Sequence, residues 1–257
     1  MSDRIPLLDD AGHTVATYLP DERGGRRWAD LLEPEPDAEA AAVVAAVLAR
    51  LPGFGVSASP RIGDLLVAAG ASERRRALAL HHRLEAIPAV RVPPGTTIAS
   101  FAHTTADLHP ASLLAFPPGH PDRTPGSTEE QEFADLDRLL RGEEVGPVLP
   151  ASRVALKAGG TVVGAAIVVD RPGDPPWAGP WLAWAFRHPT AAPQGTGAAT
   201  IAAAIASLRS DGAPALGLAV SIANPAKFVY ERLGFILVAT AVSVVVPNPD
   251  SPRTTSR

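Results

Sequence analysis

The chain has 257 residues, 46 % of them hydrophobic and 19 % charged, which suffices for one large domain or two modest ones. A net charge of −4 offers no general attraction to nucleic acid or to an anionic membrane, and no apolar stretch reaches the roughly 18 residues of a transmembrane helix. Zero cysteines exclude disulfides, thiolate metal sites and an acyl-cysteine intermediate, and Met1-Ser2-Asp3-Arg4 opens no apolar signal core, so the expected compartment is the cytoplasm.

In chain order, Asp37 caps a helical run over residues 38–51, with Val43, Val44, Val47, Leu48 and Leu51 on one side, and Pro52-Gly53 stop it. Residues 54–57 read as a strand. Ser59-Pro60 open a second helix with Ile62, Leu65, Leu66 and Ala69 on one face and Gly70 after it. Residues 73–84 read as a strand whose Arg74-Arg75-Arg76 run is a solvated end. A strand over 97–103 precedes a short helix around 107–116, which Pro110 splits or starts. Pro117 to Gly126 holds four prolines and reads as a loop. Ser127 and Glu130 have the spacing of a capping box, before Phe133, Leu136, Leu139 and Leu140 at helical intervals. Residues 153–157 and 161–170 form two strands, and Gly159-Gly160 between them signals a hairpin.

The sharpest signal follows. An aromatic strand, residues 181–186, runs into Gln194-Gly195-Thr196-Gly197-Ala198-Ala199 and then a helix with Ile201, Ala204, Ile205 and Leu208 on one face. The first amides of a helix lack internal partners and carry partial positive charge, and glycine lets them approach an anion closely. A phosphate or pyrophosphate is the expected guest. The turn is neither a dinucleotide fingerprint, since Thr200 replaces the third glycine and no acidic residue follows about twenty positions on, nor a P-loop. Gly212 closes the helix, residues 215–222 form a strand buried on both faces, and Asn224-Pro225 cap a last helix with Phe228, Val229 and Leu233 as its apolar side. Residues 235–246 complete the sheet. The seven histidines have no metal-ligand spacing, so no metal site is expected, and no Gly-x-Ser-x-Gly elbow is present.

Gln194-x-x-Gly197-x-Ala199, followed by Asn224 and then Tyr230-Glu231-Arg232-Leu233-Gly234-Phe235, resembles the two signatures of the GNAT (Gcn5-related) N-acetyltransferase superfamily over about residues 95–247. The resemblance implies an α/β fold with a mixed, mostly antiparallel sheet, helices on both faces and splayed central strands. It also implies acetyl-CoA as co-substrate. Its pyrophosphate would lie on the amides of Gly195, Thr196, Gly197, Ala198 and Ala199 next to Gln194, and its pantetheine along Ala185, Phe186 and Arg187, with Asn224 near by. Tyr230 is the expected proton donor to the leaving thiolate. The acceptor is a small-molecule or peptide amine, reached by direct transfer in a ternary complex, and a homodimer is an allowed assembly.

Two departures stand out. The turn carries no Arg or Lys, leaving Arg187, His188, Lys227 and Arg232 to flank it. The strand before it has no acidic base, the nearest carboxylates by sequence being Asp170 and Asp174. The alternative to an enzyme is therefore a catalytically weak or inactive binding protein on the same fold. Three segments are expected: residues 1–92 as a smaller α/β half, 93–247 as the acetyltransferase domain, and 248–257 as a disordered tail. The helix-strand-helix-strand order of the first half echoes residues 197–246. It is either a truncated, degenerate copy that lacks the glycine turn, or a chance recurrence of a common order.

Overall fold

The computed structural model describes residues 4–23, 25–86, 89–173 and 177–248; Asp174 and, apart from Asn248, the expected tail at 248–257 lie outside them. The chain forms two compact units, Ala79–Val238 and Ser2–Leu78 with Ala239–Arg257. Among the described residues no helix is long and apolar enough to cross a membrane.

The second unit is built on β1 (Ile5–Leu8), β2 (Thr14–Arg23), β3 (Arg26–Pro34), α1 (Ala40–Arg50), β4 (Gly55–Ala58) and α2 (Pro60–Ala68). β5 (Ser72–His82) leaves it and β11 (Ile236–Val245) returns to it. Strand order here is β1-β2-β3-β4-β11, antiparallel except for β3 beside β4. Val43, Val44, Val47 and Leu51 are buried as their spacing predicts. On α2, Ile62 and Leu66 are buried, but Leu65 is exposed. The buried face is turned toward Gly63, where a Cβ would fall 2.4 Å from Val242 Cβ, so glycine is what lets helix and strand meet. The three strands before α1 carry no strong alternation and were not expected.

The first unit contains β6 (Thr96–Ser100), α3 (Thr105–Ala115), α4 (Glu129–Leu140), β7 (Arg153–Lys157), β8 (Val162–Arg171), β9 (Gly179–Arg187), α5 (Thr196–Ser210), β10 (Leu216–Ser221) and α6 (Lys227–Arg232). Its strand order is β10-β9-β8-β7-β6, with antiparallel ladders from β9 outward and β10 parallel to β9. This is the expected mixed, mostly antiparallel architecture. β8 is buried from Val162 through Val169, with α3 on one face and α5 on the other. Val154, Ala165, Ile167 and Val169 pack with Leu108 and Ala111 of α3 and Leu136 and Leu139 of α4. The alternate residues Ala155 and Val163 face the other way, against Ala192 just before α5. Ile201, Ala204, Ile205 and Leu208 of α5 are all buried.

Three local expectations need correction. α3 is neither split nor started by Pro110 but runs through it, because a Thr104–Asp107 capping box fixes its start and Pro110 forfeits only one interior hydrogen bond. The box of α4 lies one residue later than expected, between Thr128 and Gln131; Ser127 Oγ instead bonds Thr124 O and Glu132. α6 begins at Lys227 with Ala226 at its cap, and Phe228, expected on the apolar side, is 53 % exposed under the Lys227 ammonium.

Candidate active site

β9 and β10 run parallel yet pair at one position only, Gly217 with Trp181. At that rung a Cβ on Gly217 would fall 2.3 Å from the Trp181 ring, so glycine is required for the close approach. Beyond it the strands separate, while β9 stays paired with β8 as far as Arg187. Ile167 and Val168 of β8 face Trp184 and Leu182, which leaves Ala183 as an extra, bulged residue at the point of divergence. His188 donates its amide to Val163 on β8 at 2.8 Å. Backbone groups alternate along a strand, so those of Phe186 face β8, while those of Ala185 and Arg187 face the gap toward β10. Ala183, Trp184 and Ala185 are half-buried, as a slot lining requires; the Phe186 side chain is part of the core.

The turn after β9 delivers the chain to α5. Gly195 is the N-cap with φ +92°, a left-handed conformation that glycine adopts without strain. Thr196 donates its amide to Pro193 O at 3.2 Å, and Ala199 to Gly195 O at 2.9 Å. Among the described residues no protein acceptor is bonded to the amides of Gly195, Gly197 and Ala198. Thr196 Oγ1 bonds Pro193 O and Thr200 Oγ1 bonds Thr196 O, so these hydroxyls brace the turn and leave its mouth clear. Gln194 is exposed at the rim. A Cβ on Gly197 would meet Arg187 Cβ at 3.7 Å, an ordinary contact.

The flanking cations are largely engaged. Arg187 Nη1 donates to the carbonyl oxygens of His188, Pro189 and Ala192, closing the turn. His188 Nδ1 accepts from the amides of Thr190 and Ala191. Lys227 Nζ donates to Ile222 O at 2.6 Å. The start of α5 therefore presents main-chain dipoles rather than side-chain charge.

At the far end of β10, Asn224 accepts from the amide of Ala226 at 2.8 Å and donates through Nδ2 to Asp122. Its role is a turn leading into α6, two residues ahead of the cap it was expected to form. Asp122 also accepts from Ser221 N at 3.0 Å and Ser221 Oγ at 2.6 Å. Tyr230, on α6, is 8 % exposed and packs edge-on against Phe235 at 5.7 Å. Burial first, and the negative charge of Asp122 second, push its phenol above the ordinary tyrosine value, so it stays protonated through the neutral range.

The residues gathered here and missed from sequence come from the proline-rich loop after α3. Asp122 donates its amide to His120 Nδ1 at 3.1 Å. His120 stacks edge-on with Phe116 at 4.9 Å, and Phe116 with Trp184 at 5.3 Å, whose Nε1 donates to Ser112 Oγ at 2.9 Å. An aromatic file thus connects the bulge in β9 to Asp122. The sequence marks this loop only by its prolines; nothing local tells that Asp122 reaches a strand end about a hundred residues away. Asp170, named by proximity in sequence, lies at the outer part of the β8–β9 ladder opposite Pro180, away from the open end. Among the described residues no cluster suited to a metal ion is found.

Solved structures similar to this chain include a GCN5-related N-acetyltransferase from Sphaerobacter thermophilus, at TM-score 0.65 and 15 % identity, covering 96 % of this chain and 81 % of that one. A GCN5-related N-acetyltransferase from Kribbella flavida matches at TM-score 0.60 and 18 % identity over 96 % of this chain and 90 % of its own. The fold is that of the GNAT proteins. A tandem GNAT protein from the clavulanic acid biosynthesis pathway shares it at TM-score 0.55 and 18 % identity, over 95 % of this chain and 82 % of that one. No family model matches the sequence, and no curated protein is similar to it. Common architecture at such low identity establishes the fold.

Proposed function

We propose that the chain is an acetyl-CoA-dependent N-acetyltransferase that moves an acetyl group to a primary amine by direct transfer. The observation that carries this reading is the single rung between β9 and β10 beside the unbonded amides of Gly195, Gly197 and Ala198. An extended arm can add to the open edge of β9, and a diphosphate can rest on the helix start. The residues present fit that ligand: the first turn of α5 carries no acidic side chain, and its hydroxyls are turned into bracing bonds.

Acetyl-CoA held there supplies a thioester as acetyl donor. The amides of Gly195, Gly197 and Ala198 would hold its diphosphate, and Ala185 and Arg187 would orient the arm through their backbone. Tyr230 holds a proton at its hydroxyl for the sulfur that leaves as the carbon–nitrogen bond forms. Residues 93–247 are assigned to the transferase domain. The first ninety residues are assigned to a partial copy without a glycine turn, a reading that the likeness to a tandem GNAT protein supports.

The test is calorimetry with acetyl-CoA, followed by an amine screen that monitors free thiol. Binding together with thiol release supports the proposal. Binding without release under any amine supports a regulatory protein on the same scaffold, a reading favoured by the commitment of Arg187 and Lys227 to internal carbonyls. No binding at millimolar ligand removes both.

A further inference from the structure

A cavity of about 300 Å³ lies in the amino-terminal unit, between the last turn of α1 and the β1–β2 hairpin. At roughly 30 Å³ per water it has room for about ten, the space a small organic ligand needs. Leu7, Tyr18 and Leu51, all buried, form its floor, and Leu8 stands in its wall. Tyr18 is 8 % exposed, yet its hydroxyl bonds no described residue and is not sealed into the core. That hydroxyl opens on the cavity that Tyr18 lines. Burial pushes its phenol above the ordinary value, and the charge of Arg27 offsets this only in part, so it is a protonated donor. A buried polar group without a protein partner calls for a hydrogen-bonding atom at the inner end of a ligand.

The mouth of the cavity is charged. Asp9 Oδ1 accepts from the amides of Ala11 and His13 at 2.9 and 2.8 Å, which fixes the hairpin loop, and the His13 amide above all holds the Asp9 carboxyl below its usual range. The Asp10 side chain is 97 % exposed. Arg50 reaches Asp9 O and Asp10 Oδ1 only at 3.4 Å, the long limit of a hydrogen bond. The end of α1 adds negative potential. Pro52 has no amide, Gly53 gives its own to Val246 O and Phe54 to Leu51 O. The carbonyls of Leu48, Ala49 and Arg50 are thus left without a backbone donor among the described residues. Two carboxylates and a helix end outweigh one loosely held guanidinium, so the mouth favours a cation.

We propose that this cavity binds a small primary amine whose apolar body carries a hydroxyl at the end remote from the nitrogen. The ammonium lies at Asp10 and the last carbonyls of α1, the body lies on Leu7, Leu8 and Leu51, and the hydroxyl bonds Tyr18. A carboxylate in the same place meets Asp9, Asp10 and the negative end of α1, with Arg50 alone in its favour. The site stands independently of the acetyltransferase reading and gives the amino-terminal unit a ligand of its own.

The experiment is an amide NMR titration of the full chain with tyramine, phenethylamine and phenylpropionate, in wild type, Tyr18→Phe and Asp10→Asn, with a thermal melt of each protein. Tyramine moves the resonances of Leu7, Leu8 and Leu51 and saturates at millimolar concentration or below. Phenethylamine, which lacks the hydroxyl, binds at least about five-fold more weakly, and phenylpropionate does not saturate. Tyr18→Phe abolishes the preference for tyramine over phenethylamine, which a merely structural tyrosine would not do. Asp10→Asn weakens both amines by about three-fold or more at an unchanged melting temperature, its side chain being in solvent. No saturable shift at Leu7, Leu8 and Leu51 with either amine, shifts confined to other residues, a stronger response to phenylpropionate, or a preference for tyramine that survives Tyr18→Phe overturns the site. If Tyr18→Phe does not fold, wild type decides, and equal affinities for tyramine and phenethylamine overturn it.

Discussion

Gly197→Glu separates anion binding from folding. Gly197 lies in the first turn of α5, its amide has no protein acceptor, and a Cβ there meets only Arg187 Cβ at 3.7 Å. The backbone φ is not in the left-handed region, so a side chain is tolerated. Replacing a helical glycine and placing a carboxylate near the helix start each favour the helix, by about 0.5–1 kcal/mol together once end fraying is allowed for. The same carboxylate would occupy the proposed anion subsite and repel a diphosphate. Losing one or two charge-assisted bonds, at roughly 1.5–3 kcal/mol each, weakens binding by between about ten-fold and about ten-thousand-fold. The assay is calorimetry with coenzyme A alongside a thermal melt. The expected result is a melting temperature equal to or above wild type with binding reduced by that factor. An unchanged Kd refutes the anion subsite, and a collapsed melting temperature refutes the account of the space around Gly197.

Other outcomes follow from the same geometry. Tyr230→Phe slows thiol release by at least about ten-fold in single-turnover assays while acetyl-CoA affinity and melting temperature hold, since the hydroxyl bonds no protein group among the described residues. Gly195→Ala forces a left-handed φ of +92° on a side-chain-bearing residue and costs about 1–2 kcal/mol by denaturant titration, with weaker binding as the turn relaxes. Arg187→Met removes the donors to His188, Pro189 and Ala192, lowering stability and loosening the turn, seen as faster amide exchange at Ala191 and Ala192. Burial depresses the pKa of His82 despite backbone bonds that favour its charged form. The unfolded chain therefore binds more protons below the ordinary value of 6.5, and stability is full above that pH and declines as pH falls through it. Denaturant midpoints at pH 7.5 and 5.5 measure the effect, and His82→Gln flattens it.

What was legible in the sequence was local. Gly195, the helix behind it and Gly212 announce themselves because a capped helix with one apolar face is specified within about fifteen residues. Even the divergence of β9 from β10 was anticipated from the family resemblance, although Gly217, which sets the last rung, was not. What was not legible depends on distant partners. Asp122 looks like any loop aspartate until Ser221 and Asn224 are placed beside it. β1 to β3 were missed because strands that pair with one another need no periodic apolar face of their own to be found by the fold. Pro110 and Phe228 were misjudged for a simpler reason. A capping box upstream outweighs one missing amide, and a short helix turned by Asn224 shows a different side from the one its spacing suggests.

The most direct test is an amide NMR titration of the full chain with coenzyme A. The account predicts that the resonances of Gly195, Gly197 and Ala198 move together with those of Ala185 and Arg187, and that all five saturate at one ligand concentration. Resonances that stay fixed at those five positions at millimolar coenzyme A, or that move only elsewhere in the chain, would contradict it.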